Sequence, residues 1–95
     1  MKPDINQVET CYQKNPSLVC TEFDEGAILL NLHTKYYYNL NETGLRIWKL
    51  LNELSTVSGI AEKIVDEYEV DKDRALESVR RIMAELSEEG LVIAQ

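Results

Sequence analysis

A chain of 95 residues and 10.9 kDa holds one small domain, burying roughly 60–65% of the surface it exposes when unfolded. Its composition, 44% hydrophobic and 28% charged with four Gly and two Pro, excludes disordered, collagen-like and low-complexity classes. Ten basic residues against seventeen acidic ones leave a net charge of −7, a poor match to the phosphates of a nucleic acid.

No apolar run approaches the ~20 residues that span a bilayer, and the polar start Met1-Lys2-Pro3-Asp4 is no signal peptide. The expected location is therefore the cytoplasm, away from membranes. Cys11 and Cys20 lack metal or redox spacing, and a single His builds no metal cluster. In a cytoplasmic chain the two cysteines read as reduced thiols.

Residues 1–17 have no sustained period and contain both prolines, Pro3 and Pro16, so an irregular N-terminal arm is expected there. A short extended stretch falls around Val8 to Tyr12. The domain proper is expected over 18–95. Leu18 to Phe23 favours a strand, and Asp24-Glu25-Gly26 supplies a hairpin turn in which Gly26 is free to take positive φ. Ala27 to Leu32 is apolar at nearly every position, as in a strand covered on much of both faces. His33-Thr34-Lys35 turns the chain again, and Tyr36 to Leu40 is a third strand. These three strands form an antiparallel meander.

The period then switches from two to 3.6. Asn41 is a good N-cap for a first helix whose main stripe is Leu45, Trp48 and Leu51. Ser55 and Thr56 offer the next cap, followed by Val57, Ile60, Ala61, Ile64, Val65 and Tyr68. Asp71 caps a third helix with the inner face Ala75, Leu76, Val79, Ile82, Met83 and Leu86, and Gly90 ends it. Leu91-Val92-Ile93 is an apolar tail that folds back onto the core or adds a short strand. Three strands followed by three helices define an α+β class. Trp48 is expected between sheet and helices.

Catalysis finds no support in these residues. The chain has no Gly-rich phosphate loop and no Cys-His-Asp set. His33 sits at a turn, and Glu88-Glu89 and Asp66-Glu67 are helix neighbours pointing in different directions. DNA binding fares little better. Helices two and three resemble a helix-turn-helix, with the sheet as a wing, but residues 58–89 hold ten acidic and five basic side chains. The reading helix opens Asp71-Lys72-Asp73, where carboxylates repel phosphates. Peptide recognition is better served. The third strand has a sequence partner on one side only, and a free edge is a template for an added strand. Alternation places Tyr36, Tyr38 and Leu40 on one face, partly core, and Tyr37 and Asn39 on the other, with Tyr37 the exposed contact.

Leu29-Leu30-Asn31-Leu32, followed by Tyr37-Tyr38-Asn39-Leu40-Asn41-Glu42-Thr43-Gly44-Leu45-Arg46-Ile47-Trp48, resembles the signature of the pyrroloquinoline quinone biosynthesis protein D (PqqD) family. The likeness continues through Thr56-Val57, Tyr68, Val70-Asp71 and Leu86-Ser87-Glu88-Glu89-Gly90-Leu91-Val92, covering 18–93. One departure stands out: Lys35 occupies a hairpin position where the family usually has Gly, which leaves the turn type open. The resemblance implies a winged-helix-like, non-catalytic module without cofactor. Such a module recognises the leader of a ribosomally made precursor peptide and presents it to a modifying enzyme. In the quinone pathway that enzyme is a radical S-adenosylmethionine (SAM) enzyme. The alternative is a winged-helix adaptor or transcription-associated interaction module. Monomer and homodimer both stay open.

The resemblance also implies where the leader lies, as an extra strand on the third strand against the third helix. Carried onto this chain, Tyr36, Tyr37, Tyr38 and Asn39 form the strand wall. Successive helical residues ~100° apart leave two edges for the helical wall. One carries Leu76, Arg80, Met83 and Ser87, the other Ser78, Ile82 and Glu85. The first is the expected edge, since Leu76 and Met83 offer adaptable apolar contact and Arg80 a fork for an acidic leader side chain. Arg81 then points away from the core.

Overall fold

The computed structural model describes residues 10–94. Five strands and three helices follow in the order β1 (Tyr12–Lys14), β2 (Leu18–Phe23), β3 (Gly26–Asn31), β4 (Tyr37–Asn41), α1 (Glu42–Leu50), α2 (Val57–Tyr68), α3 (Lys72–Glu88) and β5 (Val92–Ala94). Strands β2, β3 and β4 make an antiparallel meander with β3 at its centre, and among the described residues β1 pairs only with β5. The class is α+β, as the run of strands before helices requires.

Turn chemistry sets the two hairpins. Asp24-Glu25 closes the first without positive φ, and Gly26 does not take it either. Gly26 matters for a different reason: a Cβ on it would lie 2.1 Å from the backbone oxygen of Leu40 across the β3–β4 ladder. The second hairpin supplies the positive φ. Lys35 takes the left-handed conformation (φ 68°), so a lysine fills the position where glycine is at ease. Asn31 organises this turn, its side-chain oxygen accepting from the amides of His33 (2.8 Å) and Thr34 (3.1 Å).

Helix starts follow from their caps. Asn41 accepts from the Gly44 amide at 2.8 Å, and Thr56 from the Gly59 amide at 3.2 Å. Asp71 holds the N-cap position of α3, but its side chain makes no capping bond. Gly90 (φ 75°) ends α3 in a Schellman turn: its amide reaches Ser87 O at 3.1 Å, and the Leu91 amide reaches Leu86 O at 2.8 Å. Leu86 and Leu91 are both buried, so the same turn closes an apolar contact under the end of the helix.

The core lies between the inner face of the meander and the helices. Ala27, Leu29 and Leu40 enter it from the sheet, Ile47, Trp48 and Leu50 from α1, Ile60 and Ile64 from α2, and Val79, Met83 and Leu86 from α3. Each fully buried aliphatic side chain contributes about 1.5–3 kcal/mol. Trp48 is buried as expected. The deepest residues of α1 are Ile47, Trp48 and Leu50, while Leu45 and Leu51 of the expected stripe are only half-buried.

Within the segment expected to be an irregular arm, Tyr12–Lys14 forms β1, in register Tyr12↔Ala94, Gln13↔Ile93 and Lys14↔Val92. The extended stretch expected around Val8 to Tyr12 lies mostly outside the described residues. Lys14 also spans the core rim, its Nζ 4.7 Å from the Trp48 ring and 2.8 Å from Asn52 Oδ1. Arg46 of α1 grips Glu67 of α2 with both carboxylate oxygens engaged, its Nε donating at 2.7 Å. None of the described helices is long and apolar enough to cross a membrane.

Candidate peptide groove beside the outer strand

Strand β4 has one partner. β3 pairs with it from Gly26↔Asn41 to Leu30↔Tyr37, and among the described residues no strand takes the other side. The ladder tells which groups face that open side. The Asn31 amide donates to Tyr36 O at 2.9 Å, and bonded pairs alternate along an antiparallel ladder. Tyr38 and Leu40 therefore bond to β3, while Tyr37 and Asn39 direct their amides and carbonyls outward. An extended chain laid alongside meets two donors and two acceptors already aligned.

Helix α3 provides the wall. Arg81, Ile82, Glu85 and Leu86 close a cleft against Tyr38, Asn39, Leu40, Asn41 and Gly44. Past Tyr38 the cleft continues toward the hairpin between Tyr36, Tyr37 and Tyr38 on one side and Glu89 and Leu91 on the other. The helix thus runs opposite to β4, from Arg81 beside Asn41 to Glu89 beside Tyr36. The Schellman turn at Gly90 brings Glu89 and Leu91 back against the strand.

The charges in this cleft are uneven. From Arg81 onward α3 and its cap carry one arginine against Glu85, Glu88 and Glu89. The Tyr38 phenol feels them: burial first, then the negative charges of Glu85, Glu89 and Glu88, push its pKa above the ordinary tyrosine value. Among the described residues the ion pairs are Arg46–Glu67 and Lys49–Glu22, so neither Arg81 nor Glu85 nor Glu89 is in one.

Of the residues singled out from sequence, Tyr36, Tyr37, Tyr38 and Asn39 all line this cleft, whereas Leu76, Arg80 and Met83 do not. Met83 is 0% exposed, locked in the core one turn after Val79. Leu76 packs against the core, and Arg80 is exposed elsewhere. The edge that faces β4 is the other one, Ile82 and Glu85, joined by Arg81. The signal for this was in the spacing: Ala75, Val79, Met83 and Leu86 form one continuous stripe, so Met83 could not also serve a surface groove. Tyr36 is 79% exposed rather than partly core, because it precedes β4 in the turn. Tyr37, on the outer face, is 68% exposed.

Other chemistry is thin. No group of three or more His, Cys, Asp and Glu among the described residues is arranged to hold a metal ion. Cys11 and Cys20 are exposed and unbridged.

The family model for coenzyme PQQ synthesis protein D (PqqD) matches residues 26–92, which takes in the meander's last two strands, all three helices and the whole cleft. The chain belongs to the PqqD family. Two solved structures share the fold. One, TbiB1 in complex with the TbiA(beta) leader peptide, is 30% identical with a TM-score of 0.77, over 84% of this chain and 93% of that one. The other, lasso peptide synthetase B1 complexed with the leader peptide, is 26% identical with a TM-score of 0.73, over 86% and 96%. No curated protein matches the chain.

Proposed function

We propose that this protein binds the leader of a ribosomally made precursor peptide as an added strand on β4 and presents it to a modifying enzyme. That enzyme is of the radical SAM type, as in quinone biosynthesis, or its counterpart in a related modified-peptide pathway. The module supplies binding, and the chemistry belongs to its partner. The observation that carries the reading is the open β4 edge, with Tyr37 and Asn39 backbone groups facing outward beside α3. A family match through that edge and two structural relatives described with leader peptides support it. Tyr36, Tyr37, Tyr38 and Asn39 form one wall in this reading, with Arg81, Ile82 and Glu85 replacing Leu76, Arg80 and Met83 on the other.

Backbone pairing supplies much of the affinity in strand addition. The informative variant is therefore Tyr37→Pro, which deletes an outward amide without touching the β3 ladder. Titration with candidate leader peptides should find one that binds wild type and Tyr37→Ala, with a much larger loss in Tyr37→Pro. NMR shifts should cluster on residues 36–41 and 81–89. Shifts confined to α1 and α2 would rule the groove out.

A further inference from the structure

The cleft has a charge order that a bound strand must match. Arg81, Glu85 and Glu89 follow one another four residues apart along α3 and its C-cap. Each step advances ~6 Å along a helix. In an extended strand, alternate side chains on one face are ~6.8 Å apart. The two repeats nearly coincide over three positions. Leu40 and Tyr38 lie with Arg81 and Glu85 in one part of the cleft, and Tyr36 and Tyr38 lie with Glu89 in the other. A strand added antiparallel to β4 continues the sheet's own pattern, and its residues opposite Leu40, Tyr38 and Tyr36 turn toward the helix.

Resting on the strand-addition reading above, we propose that the groove selects an extended peptide with the pattern acidic-x-basic-x-basic, the acid facing Arg81 and the two bases facing Glu85 and Glu89. The Tyr38 phenol, pushed up by burial first, is raised further by the same glutamates, Glu85 and Glu89, with Glu88. Among the described residues none of these three charges, Arg81, Glu85 and Glu89, has an ion-pair partner, so no described ion pair must break for a ligand to reach them. The order reverses the acidic ligand expected from Arg80, which lies outside the cleft.

The test is selection of a displayed library of random twelve-residue peptides against wild type, Glu85→Lys/Glu89→Lys and Tyr37→Pro. Both glutamates are exposed, and circular dichroism on each variant checks that the fold is kept. Wild type should enrich Lys or Arg at two positions two apart, with Asp or Glu two residues before them. The double reversal should enrich acids at those same two positions. A selected peptide should bind about fivefold more weakly for each reversed charge, and the loss should shrink as salt rises. Peptides that need the edge, shown by loss with Tyr37→Pro, but carry no charge bias overturn the pattern alone. Peptides indifferent to Tyr37→Pro, or no enrichment at all, overturn the strand reading and the pattern with it.

Discussion

At two positions backbone geometry sets a side-chain limit that composition hides. Gly26 has a carbonyl where its Cβ would be, at 2.1 Å from Leu40 O, and backbone cannot move aside cheaply. Gly26→Ala should therefore cost about 3 kcal/mol, the upper range for overpacking, read as a lower denaturation midpoint. An unchanged midpoint would mean that β3 and β4 separate there at no cost. Lys35 is the converse case, a side chain in a left-handed backbone (φ 68°). That conformation costs a non-glycine residue roughly 1–2 kcal/mol, partly offset by the extra freedom glycine loses on folding. Lys35→Gly should raise stability by about 0.5–1 kcal/mol, seen as a higher urea midpoint at constant m. A glycine would sit at this turn without strain, and this chain does without one.

Between elements, the Arg46–Glu67 pair ties α1 to α2. The Arg46 hydrogen bonds hold the Glu67 carboxyl below the usual glutamate range. A depressed folded pKa means the contribution is complete above the unfolded carboxylate range and is lost as pH falls through the folded value. Glu67→Gln should lower Tm at neutral pH, and the gap to wild type should close in strongly acid solution. A gap that persists there would assign the loss to packing. The elements themselves were largely legible in sequence, because Asn41, Thr56 and Gly90 punctuate them and β-period gives way to helical period at Asn41. The rotation of α3 about its own axis was not. Periodicity identifies the buried stripe, but which flank lies beside β4 depends on how the helix crosses the sheet and on the Gly90 turn. Spacing alone therefore points to the Arg80 flank, although Arg81 and Glu85 line the cleft. The β1–β5 ribbon was equally hard to read, since three-residue strands carry too few alternations to stand out.

For the whole molecule, ligand binding and folding are linked. A leader that binds only the folded chain, present at a hundred times its Kd, adds about 2.7 kcal/mol. In a domain this small that raises Tm by about 10 °C or more. Thermal melts with and without leader should show the shift in wild type and lose most of it in Tyr37→Pro, whereas equal shifts in both would place the ligand elsewhere. The β1–β5 ribbon has a mechanical consequence as well. Tyr12 opposes Ala94 and Lys14 opposes Val92, so tension applied across residues 12 and 94 loads the ladder one pair at a time, as a zip. Such a joint yields at low force. The meander shares no ladder with it, and β4 stays outside the path of the load until the ribbon has opened. A tether pulling on residues 12 and 94 would open this clasp while β4 remains in place.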